Sequence, residues 1–117
     1  MFVKNADWMN YGVIKSTACK YGFYEDLNSG NHGQQMIDKL IVDSLSANGY
    51  GYYVSGAVAQ PYPNIVTAAR INAYLGTGAW YMGANSVKNI IKTGFTVNGG
   101  TNTNTGTGND VSGVLIA

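Results

Sequence analysis

Residues 31–49 constrain this chain most, because the start, apolar face and stop of one element can all be read from their side chains. Asn31 can cap a helix with its side-chain oxygen, and Gln34, three residues on, can reach back to the cap's own amide. Met36, Ile37, Leu40, Ile41 and Leu45 then recur at three- and four-residue spacing, while Lys39, Asp43 and Ser46 fall on the other side. Asn48 and Gly49 supply the left-handed stop. The segment predicts a core helix.

Around it the chain reads as a mixture. Residues 1–5 suit a short strand, and Asp7 can cap a helix through Trp8, Met9, Val13, Ile14 and Ala18, weakened at Gly12 by about 1 kcal/mol relative to Ala. Glu25, Asp26, Asn28, Ser29 and Gly30 form a polar turn into the central helix. The Tyr- and Val-rich run 50–58 changes period to two and predicts a strand, ended by Pro61, Tyr62 and Pro63. Asn64 opens a further helix with Ile65, Ala68, Ala69, Ile71 and Leu75 inward and Gly76 as its stop. A shorter one runs from Asn85 through Val87, Ile90 and Ile91 to Thr93, with Lys88 and Lys92 near its negative end and Gly94 closing it.

Phe95, Thr96 and Val97 make a short strand, a Gly/Thr/Asn-rich string follows to Asn109, and Val111, Val114, Leu115 and Ile116 form a terminal strand. The fold this predicts is α+β, with about three core helices on one face of a small, mostly antiparallel sheet from residues 50–59, 94–98 and 111–116. Residues 1–97 read as the single core. Residues 98–117 read as a loop and terminal strand of the same domain, or as an arm between subunits. No internal repeat is evident.

Charge narrows the function. Only 11% of the residues are charged, against roughly 25% in ordinary soluble domains, and Asn, Ser, Thr, Gly and Tyr take their place. Arg70 is the sole charge between Asp43 and Lys88, and Asp110 the sole one after Lys92, so no basic stripe awaits a phosphate backbone. Nucleic acid is not an expected partner. No apolar run approaches the roughly 20 residues that span a bilayer, and the first residues lack a signal peptide's apolar block, so neither a membrane nor export by that route is expected. Cys19 is alone, which excludes an internal disulfide, and no Asn-x-Ser/Thr acceptor occurs.

Chemistry finds few footholds. Cys19 and His32 are the only thiol and imidazole, and their pairing as nucleophile and base needs an orienting group such as Asp26 or Asn28. A buried, inert cysteine is the commoner outcome. Gly76, Thr77, Gly78 and Gly83 resemble a phosphate-cradling loop, but the spacing fits neither nucleotide fingerprint. Glu25 with Asp26, and Asp38 with Asp43, read as solvated carboxylates, and no ligand spacing for a metal exists. No cofactor, metal or catalytic residue is expected.

The aromatics carry more. Tyr11, Tyr21, Phe23, Tyr24, Tyr50, Tyr52, Tyr53, Tyr62, Tyr74, Trp80 and Tyr81 exceed what a small core holds, and such rings concentrate at interface centres poor in Lys and Glu. The reading that follows is a non-enzymatic structural subunit that assembles with itself or with sister proteins into a shell, tube or filament, as in a phage or other virus. It would be made in the cytoplasm and end in a virion or assembled extracellular structure. Tyr50, Tyr52, Tyr53, Trp80, Tyr81, Val111, Val114 and Ile116 are the expected interface. A carbohydrate- or surface-binding module of a fibre or adhesin is the alternative, and a cysteine-dependent hydrolase fragment the third.

Overall fold

The computed structural model describes residues 1–4, 6–28 and 32–117. The expected Asn31 cap, Ser29 and Gly30 in the polar turn, and Asn5 at the end of the N-terminal arm lie outside the described residues. Among the described residues there is no helix. The strands are β1 (Phe2–Val3), β2 (Met9–Ser16), β3 (Cys19–Asp26), β4 (Gln35–Val42), β5 (Leu45–Ser55), β6 (Ile65–Asn72), β7 (Gly78–Met82), β8 (Ile90–Val97), β9 (Thr103–Asn104) and β10 (Val114–Ile116).

These strands alternate between two sheets. The odd strands form one in the order β1-β3-β5-β7-β9, and the even strands form the other in the order β10-β8-β6-β4-β2. Each pair of neighbouring strands is parallel. A chain that crosses to the facing sheet after every strand and returns one position further along is a coil, and the protein is an all-β solenoid. Each turn contacts chiefly the turns before and after it.

The α+β expectation is therefore overturned, and the register shows why. In the even sheet Tyr11, Ile37, Val66 and Ile91 stand side by side, and so do Ile14, Leu40 and Ala69. Between these two rows each strand turns two successive residues outward: Gly12 and Val13, Asp38 and Lys39, Thr67 and Ala68, Lys92 and Thr93. Buried residues thus recur three apart, Ile37 to Leu40 and Val66 to Ala69, which is the spacing of a helix face. With Ile41 half-buried on the outer side, residues 35–49 mimic an amphipathic helix while forming β4 and the start of β5. The expected helices near Asp7, Asn64 and Asn85 fail for the same reason, being β2, β6 and β8 with their approaches. The expected antiparallel sheet is likewise replaced. Residues 50–55 belong to β5 in one sheet, whereas β8 and β10 pair with each other, in parallel, in the other.

The interior is a stack of side-chain rows between the sheets. Leu40, Val42, Val66, Ile71 and Ile91 meet Phe23, Tyr52, Val54, Ala79 and Met82 from the facing sheet, and all are buried. The sheets approach most closely where the odd strands carry glycine. A Cβ on Gly51 would stand 2.7 Å from the Ile71 side chain, and one on Gly22 would collide with Val42. Residues 98–117 form a further turn of this coil. Thr103 pairs beside Tyr81, Thr107 bridges Val87, and Val114 stands beside Gly94.

Candidate functional site

Three strands of the odd sheet carry one short pattern. Tyr21-Gly22-Phe23-Tyr24 lies beside Tyr50-Gly51-Tyr52-Tyr53, which lies beside Gly78-Ala79-Trp80-Tyr81. The two middle residues of each face inward, so the small residue admits the opposite sheet and the large ring fills the core. The outer residues are half-buried and turn to the surface, apart from the buried Gly78.

The register places Phe2, Tyr24, Tyr53 and Tyr81 in one row along the solenoid axis. Tyr24 stacks on Tyr53 at 4.8 Å between centroids, and Tyr53 on Tyr81 at 4.7 Å, with planes 21° and 16° apart. That spacing is the strand separation of the sheet, so backbone pairing itself holds the rings at stacking distance. Tyr21 and Tyr50 flank the row, each with its ring centroid within 6 Å of Tyr53's. Phe2 is 61% exposed at one end. Tyr53 spends both faces, on Tyr24 and on Tyr81, which disfavours its use in stacking on a sugar. Burial raises the Tyr24 and Tyr53 phenols above their ordinary value, and the Asp26 charge adds to this at Tyr24.

The other expected interface residues fall elsewhere. Tyr52 is fully buried and Trp80 nearly so, both in the core. Val111 and Val114 are half-buried against that core, and Ile116 is exposed on β10. The sequence signal for the row was the recurrence of Tyr-Gly-aromatic-Tyr 29 residues apart, at Tyr21 and Tyr50, which residue-by-residue reading passes over.

A second cluster lies inside. Asn64 Oδ1 accepts from the Gln35 backbone N–H at 3.1 Å, Asn89 Oδ1 from that of Asn64 at 3.0 Å, and Asn109 Oδ1 from that of Asn89 at 2.8 Å. One amide per turn thus satisfies a buried donor of the preceding turn where the chain enters a strand. Asn89 Oδ1 also accepts from Tyr52 Oη and Gln60 Nε2, while Asn64 Nδ2 and Gln60 Nε2 donate to Glu25 Oε1 at 3.0 and 3.2 Å. Glu25 is fully buried, in the row between Val3 and Val54, and its Oε2 lies 3.4 Å from His32 Nδ1. Burial raises the Glu25 carboxyl above the usual range, opposed by the Asn64 hydrogen bond and by His32. The Tyr52 phenol is raised too, chiefly by complete burial. The sequence expectation that Glu25 is solvated is corrected here.

This geometry separates the groups that catalysis would need together. Cys19 opens β3 and Glu25, with His32 beside it, lies near its far end, six residues or about 20 Å of extended chain away. Asp43 lies between Lys15 and Arg70 on the outer face of the even sheet, at 3.9 and 3.4 Å, and Asp38 is exposed on β4. Residues 78–82 of the glycine-rich stretch are β7, with no helix behind them. Among the described residues no three His, Cys, Asp or Glu side chains group as metal ligands. Compared with known proteins, the chain matches no family model, no curated protein and no solved structure.

Proposed function

We propose that this protein is a non-enzymatic structural subunit that assembles with copies of itself or with sister proteins into a filament, tube or shell, such as the fibre or casing of a virion. The observation that carries this is the outer face of the odd sheet, where Phe2, Tyr21, Tyr24, Tyr50, Tyr53 and Tyr81 form one continuous surface of neutral rings. Ring edges and hydroxyls supply large contact area at low entropic cost, and charge is scarce enough elsewhere that little repulsion keeps neighbouring copies apart. A parallel solenoid suits such a role because its stiffness comes from repeated backbone pairing.

Light scattering and negative-stain electron microscopy across a concentration series test the reading. Particles that grow with concentration, and that Tyr21→Lys with Tyr81→Lys reduces to monomers while leaving circular dichroism unchanged, support it. A monomer throughout the series, alone and mixed with the other structural proteins of its source, refutes it.

A further inference from the structure

We propose that a second surface, the corner formed by Trp8, Tyr62 and Asp7, is a carbohydrate-binding site that takes the apolar face of a neutral pyranose. Trp8 is 58% exposed and Tyr62 45% exposed, and their centroids lie 4.9 Å apart with planes inclined at 53°. Each ring here has one aromatic neighbour, whereas Tyr53 in the stacked row has four. Trp8 and Tyr62 therefore keep open ring face to offer.

The backbone that carries the corner is held in place by Gly33 and Gln35. A Cβ on Gly33 would come within 2.6 Å of Trp8 Cδ1, so only glycine seats the indole at this point. Gly33 N donates to Ala6 O at 2.9 Å, and the buried Gln35 side chain donates from Nε2 to the carbonyls of both Asp7 and Gly33, at 2.8 and 3.1 Å. Asp7 Oδ1 in turn accepts from the Trp8 backbone N–H at 2.8 Å. On the other side, Pro61 and Pro63 restrict the backbone on either side of Tyr62. The backbone on which both rings stand is thus tied down, so less conformational freedom is left to lose when a ligand arrives.

Size and charge select the occupant. Two aromatic side chains bury at most about 500 Å² even when fully covered, short of the roughly 800 Å² per partner of a standard protein interface. A single sugar ring needs no more than this. Its axial C–H groups carry slight positive charge and fit the negative face of an aromatic ring, while its hydroxyls need acceptors. The Asp7 carboxylate retains lone pairs beyond the one used by Trp8 N–H. The same carboxylate repels an acidic sugar.

The test exploits the placement of the two tryptophans, since Trp80 is only 6% exposed and Trp8 is open. The protein is screened on an array of neutral oligosaccharides of glucose, mannose, xylose and N-acetylglucosamine, and the best binder is then titrated while tryptophan emission is followed. The expected result is saturable quenching or a blue shift, weakened tenfold or more by Trp8→Ala and by Tyr62→Ala and severalfold by Asp7→Asn. Urea midpoints should stay close to that of the wild type. No binder on the array, or binding that Trp8→Ala leaves intact, overturns the proposal. Binding lost only with the Tyr21 and Tyr81 substitutions overturns it as well, by moving the site to the stacked row. None of these outcomes depends on whether the protein assembles.

Discussion

Replacing Asn89 with alanine should remove the centre of the buried amide ladder and cost about 4 kcal/mol. Asn89 Oδ1 accepts from the Asn64 backbone N–H, from Gln60 Nε2 and from Tyr52 Oη, and its Nδ2 donates to Gln60 Oε1 and Asn109 Oδ1. Several of those partners have a second bond to fall back on. Gln60 Nε2 keeps Glu25 Oε1, Gln60 Oε1 keeps the Val87 N–H, and Asn109 Oδ1 keeps the Asn89 backbone N–H. Two donors lose their acceptor without replacement, the Asn64 N–H and the Tyr52 hydroxyl. A buried donor left unsatisfied costs about 1–3 kcal/mol, so two give roughly 4 kcal/mol out of the ~5–15 kcal/mol that holds a domain together. The assay is equilibrium urea unfolding followed by circular dichroism, with a thermal scan beside it, where the midpoint should fall by about 15 °C. Asn109→Ala serves as the control, since it leaves one buried donor, the Asn89 backbone N–H, without its acceptor where Asn89→Ala leaves two, and its cost should be smaller. A loss below about 1 kcal/mol for Asn89→Ala would refute the claim that the ladder stabilises the interior.

Further predictions rest on single positions. Gly94 has φ of +143°, and a Cβ there would collide with the Ala69 carbonyl oxygen of the neighbouring strand, so Gly94→Ala should cost about 3 kcal/mol or more in urea unfolding. Tyr53 touches four rings, and Tyr53→Ala should cost at least about 2 kcal/mol at an aromatic pair's ~0.5–1.5 kcal/mol each, with a drop in near-ultraviolet dichroism. Glu25, raised by burial, binds its proton more tightly folded than unfolded. Its contribution to stability is therefore fully present below the ordinary Glu value of about 4.3 and is lost as pH rises through the folded value. Glu25→Gln keeps an acceptor for Asn64 and Gln60 and should flatten the fall of stability with pH in that window, read from urea midpoints at stepped pH. An unchanged pH profile counts against Glu25 as its source.

Local backbone preference was legible in part. Of the run 50–58, expected as a strand, residues 50–55 are extended because Tyr and Val favour pleated backbone without help from neighbours, but pairing stops at Ser55, well before Pro61 and Pro63. The long-range arrangement was not. Ile37 and Leu40 three apart satisfy a helix template and a strand with two successive outward residues equally well, and only pairing with Tyr11 and Ile14 on one side and Val66 and Ala69 on the other selects the strand. The interface residues show the same division. Alternation within β5 separates Tyr53 from the buried Tyr52, but whether a given ring faces the core depends on where the facing sheet lies.

The sequence by itself determined a sparsely charged, tyrosine-rich chain with turns at its prolines, since composition and backbone restriction are properties of single residues. The tertiary structure decided that its strands coil into two parallel sheets, that Tyr24, Tyr53 and Tyr81 stack into a row, and that Gln35, Asn64, Asn89 and Asn109 join through the interior. The physical reason is that these contacts join residues 20 to 29 positions apart, at one strand separation, a proximity that exists only once the turns have stacked.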